Sequence, residues 1–453
     1  MTRLRLIHAE WTTRDIQMRL PFQFGNTEVW GAPEACLEVL AEIEGKVFSG
    51  RSAQLMVPRW FNKDQAFSNE DTIDELRSVV NATVGRVPGR EGSVCTVTRD
   101  LRQDVTVALP DMPTLAAGFG PALVEMAVID ALCSAVGLPF WKAARADVFG
   151  LASDGPADIR QRIAPSLSAI SAPNRVTLRH TIGFDAPLRS EEVSADTDDA
   201  RPIALEDVLA ATGIRALKIK LKGDPERDLE RLRKIGELIS DLNELSVTLD
   251  ANEQYSTGLF ADFVEVFLQD PSLKQLRDAT RFVEQPFPRE TALDQPVTCP
   301  IPLIIDESDD TEDAFARALA MGWSGTSIKS CKGVLRALLN KVRAEVSGSI
   351  LSGEDLTCQP GLCWQQDIAM MSACGVRDVE RNGHHFAGGM QGVTPSARAA
   401  FLRDHPDIYR LDGDHIALRI ADGAVRIGSL DVAGFGVGFE PESLIDKGIC
   451  VTY

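Results

Sequence analysis

Between Arg215 and Lys332, five short apolar runs each close on a charged residue: Ala216-Leu217-Lys218-Ile219-Lys220, Val247-Thr248-Leu249-Asp250, Phe282-Val283-Glu284, Leu303-Ile304-Ile305-Asp306 and Thr326-Ser327-Ile328-Lys329. The terminal charges stand 30, 34, 22 and 23 residues apart, about the length that a strand, a loop and a helix occupy in one βα unit. The segments between them carry the helical half of that unit. After Pro225, which suits the first turn of a helix, Leu229, Leu232, Ile235, Leu238, Ile239 and Leu242 recur at helical spacing, and after Gly333 so do Val334, Leu335, Leu338, Leu339 and Val342. Strands apolar on both faces, alternating with amphipathic helices, predict a parallel sheet covered by helices. Parallel strands end at one shared rim, where a barrel or an open sheet keeps its site. Three carboxylates and two or three lysines are therefore expected to converge there.

Outward from this stretch, Arg175 to Gly183 alternates like a preceding strand, and Ser349-Ile350-Leu351-Ser352 and Val376-Arg377-Asp378-Val379-Glu380 give two more. That makes eight, the number that closes a barrel. The acidic run from Ser190 to Arg201 reads as a solvated insertion. Gly118 to Gly150 carries a helix with Leu123, Met126, Ile129 and Leu132 on one face, stopping at Gly137-Leu138-Pro139. Before it, Leu4 to Glu10 and Ala35 to Ile43 read as strands and Thr72 to Val80 as a helix. Beyond 405 short alternating strands return, at Ile416 to Ile420 and Ala424 to Ile427. The glycine-rich Gly434-Phe435-Gly436-Val437-Gly438-Phe439 is no phosphate loop, since no helix and lysine follow it.

At 453 residues the chain exceeds one ordinary core, so two domains are expected. Its composition, 44% hydrophobic and 25% charged, is that of a globular protein. A net charge of −19 disfavours nucleic acid and anionic lipid as partners. No run has the length of a membrane span or the character of a signal peptide, and the nine cysteines lack CxxC spacing. A cytoplasmic protein with reduced thiols and no zinc site is the expectation.

With Lys218-Ile219-Lys220, Leu249-Asp250-Ala251-Asn252, Val283-Glu284-Gln285-Pro286, Ile305-Asp306-Glu307-Ser308, and Ile328-Lys329 followed by Cys331-Lys332-Gly333, the sequence resembles the enolase superfamily, in its mandelate racemase/muconate lactonizing enzyme-like branch. The resemblance implies a modified TIM (β/α) barrel with an α+β capping domain, the cap built from the N-terminal region (1–117) and a C-terminal tail (425–453), the barrel from 118–424. It implies that Asp250, Glu284 and Asp306 hold Mg2+, with Lys220 and Lys329 as acid/base groups on opposite faces of a small-molecule carboxylate substrate. Lys218 and Asn252 are then supporting residues. Two cap loops are expected near Phe22-Gln23-Phe24-Gly25 and Pro58-Arg59-Trp60-Phe61, bringing Phe22, Phe24 and Trp60 to the substrate; ordinary core packing is the competing reading of these aromatics. His384 and His385, after the eighth strand, are candidates for the same pocket. Relatives of this kind commonly assemble as dimers or octamers, so a homo-oligomer is expected.

The chemistry explains the residue types. Removing a proton alpha to a carboxylate leaves two negative charges on one enediolate, which a divalent ion stabilises without proton movement, and magnesium takes oxygen ligands. A lone strand-end carboxylate serves equally well as a loop or helix cap; three at successive strand ends between lysines do not share that explanation. Lys222 and Lys332 read as supporting or solvated, and Glu307 and Asp309 as facing solvent. The seventh strand is followed by Ser352-Gly353-Glu354-Asp355 without the histidine of mandelate racemase-like relatives. The pattern thus favours two-lysine racemisation, epimerisation or cycloisomerisation, with acid-sugar dehydration as the alternative. A metal-free Schiff-base lyase leaves the three acids unexplained.

Overall fold

The computed structural model describes residues 2–194 and 201–437. Eight parallel strands close a barrel: β5 (Arg175–Ile182), β6 (Ala216–Lys220), β7 (Ser246–Asp250), β8 (Thr280–Glu284), β9 (Leu303–Ile305), β10 (Gly325–Ile328), β11 (Ile350–Gly353) and β12 (Val379–Glu380), with β12 pairing back to β5. Helices follow most strands as the apolar spacing predicts. The helix Pro225–Leu238 is capped by Asp224, whose side chain accepts from the backbone N–H groups of Glu226 and Arg227, with Pro225 in the first turn.

In front of the barrel stands a four-stranded antiparallel sheet in the order β3 (Lys46–Leu55), β2 (Thr27–Ile43), β1 (Leu4–Phe24), β4 (Glu91–Gly92), backed by the helices Asn69–Val84 and Val94–Ala108. The fold is thus a TIM barrel with an α+β cap. The first strand extends well past the expected Glu10, because two register shifts, at Leu6/His8 and Gln17/Phe22, let it continue as a long hairpin with β2. Phe22 and Phe24 consequently lie in this strand, paired with Val29 and Thr27, and not in a loop. Residues 56–68, which include Trp60, do run without regular secondary structure from β3 to the helix Asn69–Val84.

The helix Phe119–Val136, which opens the segment expected to be barrel, packs on β2 and β3 of the cap sheet. Gly50 makes this possible: a Cβ there would sit 2.1 Å from the Ala127 carbonyl oxygen and 2.3 Å from the Ala131 nitrogen. By length and composition the stretch Thr114–Val136 could cross a membrane, and 78% of its most apolar window is buried inside the protein. At the other end, β13 (Tyr409–Asp412) and β14 (His415–Leu418) form a hairpin, and β15 (Ala424–Arg426) pairs antiparallel with β5. Gly434 bridges Pro139, and Phe435 stacks on Phe140 with ring centroids 4.9 Å apart. The glycine-rich tail after Val437 lies outside the described residues, as do residues 195–200 of the acidic insertion.

Candidate active site

Each barrel strand of the motif stretch delivers its terminal charge to one rim. Register places Lys220 beside Asp250 and Asp250 beside Glu284 on adjacent strands. Lys220 Nζ lies 2.6 Å from Asp250 Oδ2 and 2.7 Å from Asn252 Oδ1. Across the barrel, Lys329 Nζ lies 2.5 Å from Asp306 Oδ1. Lys332, buried and not solvated, approaches the same oxygen at 2.9 Å and donates to the Asp306 carbonyl at 2.7 Å. Lys218 Nζ stands where four carboxylates meet: Glu354 at 2.5 Å, Asp250 and Glu284 at 2.9 Å, and Glu380 at 3.1 Å.

Local backbone geometry aims these groups. Asn252, Glu253 and Gln285, just past the ends of β7 and β8, take φ of 42°, 73° and 37°, a left-handed conformation that costs non-glycine residues about 1 kcal/mol or more. The Gln285 side chain fastens the neighbouring strand end, accepting from the backbone N–H of Asp306 (2.8 Å) and donating to Ser308 Oγ (2.8 Å).

Burial works against the charged form of Lys329, Lys218, Asp306, Asp250 and Glu284, and their mutual fields set the outcome. Burial works to remove the proton of Lys329, yet Asp306, Glu284 and Glu354 together raise its pKa, and Lys218 is likewise held as an ammonium by the acids around it. The lysines beside Asp306 and Asp250 outweigh burial and lower both carboxyls. Glu284 goes the other way, pushed well above the ordinary range by burial and by Asp250 and Glu354. Neither of its oxygens accepts a hydrogen bond, although Lys218 Nζ is close to one. Glu284, on the strand between those of Asp250 and Asp306, gives with them three buried carboxyls at successive strand ends, oxygen donors of the kind a hard divalent cation takes, while among the described residues only Asp355, Cys358 and Asp367 bring their ligand atoms within 4.8 Å of one another.

Phe22, Phe24, Trp60, Lys218, Lys220, Asp250, Asn252, Asp306 and Lys329 all line one cavity of about 20 Å³. The Trp60 ring lies over Lys329, its centroid 5.1 Å from Nζ. This volume holds about one water molecule. His384 and His385 are not part of this lining; they border neighbouring cavities behind the eighth strand. Glu307 and Asp309, expected in solvent, are buried. Glu307 accepts from Lys63 of the cap at 3.0 Å, and Asp309 from Asn340 at 3.1 Å.

Four residues of the site escaped the sequence reading. Glu354 follows β11 and Glu380 ends β12, and Asp355 lines the cavity as an acid that burial and Asp367 push well above its usual range. Arg179, in the interior of β5, bonds Glu354 at 2.5 Å and also Asp378. The charge-ended-strand rule, applied to the last two strands as well, finds the two glutamates; nothing in the alternation of β5 marks Arg179.

Fold and site together define a capped (β/α) barrel with an acid and lysine centre at its carboxyl rim. Residues 203–332, which hold all of the motif strands, match the model of the enolase C-terminal domain-like family. No curated protein matches the sequence. Among solved structures it is similar to a dipeptide epimerase from Methylococcus capsulatus complexed with Mg and L-Arg-D-Lys, at 19% identity, TM-score 0.61, covering 95% of this chain and 99% of that one. It is also similar to the L-Ala-D/L-Glu epimerase from Bacillus subtilis (16%, TM-score 0.63, 95% and 99%) and to 2-chloromuconate cycloisomerase from Rhodococcus opacus 1CP (15%, TM-score 0.61, 96% and 96%). At these identities the likeness is one of fold.

Proposed function

We propose that the protein is a magnesium-dependent isomerase that removes the proton alpha to a substrate carboxylate to leave an enediolate, which is reprotonated in racemisation or epimerisation, or which expels a β-carboxylate oxygen in cycloisomerisation, the enediolate being formed by addition of that oxygen in the reverse direction. One observation carries this reading: Lys220 and Lys329, from the second and sixth of eight barrel strands, face a single cavity from opposite walls, with Asp250 and Asp306 on that same lining. Two amines so placed serve the two faces of one carbon. One takes the proton while the other, as ammonium, delivers a proton to the opposite face. Asp250, Glu284 and Asp306 would hold the cation, which when bound offers Lewis-acid stabilisation of the enediolate charge. Lys218 and Lys332 fix the outer oxygens of those acids, and Phe22, Phe24 and Trp60 exclude water and supply the apolar wall.

The test is incubation in deuterated water with a panel of carboxylic acids headed by dipeptides and muconate-type diacids, the ligand kinds named for the similar structures. Alpha-proton exchange that stops on adding EDTA and resumes with Mg2+ is expected. Exchange that persists in EDTA, or a covalent adduct trapped by borohydride, would point to Schiff-base chemistry instead. In parallel, Asp306→Asn is expected to keep the fold and lose magnesium affinity by calorimetry; undiminished binding removes Asp306 from the ligand set.

A further inference from the structure

At the carboxyl rim Asp250, Glu284, Asp306, Glu354 and Glu380 each have a lysine ion partner. Asp355 and Asp367, equally buried, pair with no lysine or arginine among the described residues. They are close enough to feel each other, since Asp367 adds to burial in raising the Asp355 carboxyl. A buried acid pair without a counter-charge is costly unless something positive joins it.

Between the two stands a thiol. Asp355 and Cys358 lie on the loop after β11 and Asp367 on the helix Leu362–Cys374, and one ligand atom from each comes within 4.8 Å of the other two. The Cys358 thiol donates to Asp367 Oδ2 at 3.3 Å. A tetrahedral ion with bonds of about 2.3 Å to sulfur and about 2.0 Å to oxygen holds those atoms about 3.5 Å apart, so the pair already has the separation of two ligands on one ion. Contacts from outside fix the group. The Ser330 backbone N–H donates to Asp367 Oδ1 at 3.0 Å, Ser330 Oγ donates to Gln54 Oε1 of β3 at 3.0 Å, and Gln54 Nε2 approaches Cys358 Sγ at 3.8 Å. The Gly383 backbone N–H donates to Asp355 Oδ2 at 3.0 Å. Asn382 Nδ2 donates to the Asp355 carbonyl at 3.0 Å, yet Asn382 Oδ1 is buried with no hydrogen-bond partner. Buried polar atoms are ordinarily satisfied, and an orphaned oxygen beside two unpaired acids points to a bound cation.

We propose that Asp355, Cys358 and Asp367 form a binding site for a divalent cation of the zinc type, separate from the Asp250, Glu284 and Asp306 set. A thiolate ligand selects such an ion over magnesium, which takes oxygen. Binding releases the thiol proton to solvent and supplies the positive charge that the two acids lack. A single cysteine among carboxylates has no CxxC spacing, the mark that cysteine-pair sites leave in a sequence. Three protein ligands leave a coordination position open, and Asp355 and Asn382 line the catalytic cavity, so the site adjoins that cavity. The inference does not depend on the reaction proposed above, because binding is read without turnover.

The experiment is a spectrophotometric titration of the reduced full chain with Co2+ in excess Mg2+, since cobalt bound to a thiolate absorbs by sulfur-to-metal charge transfer in the near ultraviolet. Absorption that saturates at one equivalent and is reversed by Zn2+ is expected. Cys358→Ser should abolish it. Asp367→Asn keeps the thiol and should weaken Co2+ about tenfold or more, which keeps the test open if Cys358→Ser does not fold. Asp306→Asn should keep the absorption whatever becomes of its magnesium affinity, so failure here and failure of the catalytic reading are told apart. No saturable absorption in the wild type, undiminished absorption in Cys358→Ser, wild-type affinity in Asp367→Asn, or loss of the absorption in folded Asp306→Asn, which would put the cobalt at the catalytic acids, each overturns the proposal.

Discussion

Lys220 and Lys329 have different surroundings: one sits between Asp250 and the Asn252 amide, the other between Asp306 and an indole face. If each serves one face of the substrate carbon, their replacements separate by enantiomer. Lys220→Ala is expected to abolish alpha-proton exchange from the enantiomer it faces and to leave measurable exchange from the other, and Lys329→Ala to give the mirror pattern. Loss from the same enantiomer in both variants, followed by NMR, would favour a one-base mechanism with the second lysine as electrostatic support. Lys218 has a different part. Removing its ammonium leaves Asp250, Glu284, Glu354 and Glu380 facing one another, and breaking a buried pair of this kind costs about 3–5 kcal/mol. Lys218→Met should therefore melt at lower temperature in EDTA and recover part of that loss when Mg2+ is added, read by scanning calorimetry.

At the scale of elements, helix and sheet approach closely at Gly50, where the helix Phe119–Val136 rests on β3. Gly50→Ala has no room for its methyl group against the helix backbone and should destabilise the protein by about 1–3 kcal/mol, seen as a lower urea midpoint. The same helix marks a limit of sequence reading. Its apolar residues surround it almost completely, so periodicity announces a buried helix without saying against which layer it is buried. The barrel strands of the motif stretch were legible because each is a short apolar run ending in one charge at the rim. β11 and β12 are harder to read: serine and glycine dilute the first, and only two residues of the second are paired, so Glu354, after the seventh strand, and Glu380, at the end of the eighth, are not counted with the charged strand ends. Glu307 and Asp309 misled for the converse reason. A charge following a strand-end ligand is normally solvated, and only the distant partners Lys63 and Asn340 bury these two.

Across the whole molecule, cap and barrel are joined through charge. Lys63 of the cap loop pairs with Glu253 and, at 3.0 Å, with Glu307, and donates to the Asn252 carbonyl at 3.1 Å. From the barrel, Arg289 bonds Glu253 at 2.8 Å and the carbonyl oxygens of Trp60 and Phe61 at 3.0 and 3.2 Å. Burial favours the neutral acid at Glu253, but Lys63 and Arg289 prevail and lower its pKa to about 2 from an ordinary 4.5. A carboxyl whose pKa is depressed by folding stabilises fully above its unfolded value, and that stability is lost as pH falls through the folded one. The difference corresponds to a contribution on the order of 3 kcal/mol. The advantage of wild type over Glu253→Gln in urea midpoint should accordingly shrink as pH is lowered from about 5 to about 3, and a constant difference would remove Glu253 from the clamp.

Trp60 belongs to that clamped loop, and its indole is only 3% exposed against Lys329. An opening that lifts this loop carries the ring from its place over the Lys329 ammonium into water. The protein therefore contains its own optical reporter of closure. Emission should shift to the red and change in intensity as the loop lifts, then revert on ligand capture, with Trp60→Phe silencing that component while the other five tryptophans remain. In a stopped-flow mixing experiment, the rate of the spectral change times the gate itself, and comparison with the exchange rate tells whether turnover waits on chemistry or on the door.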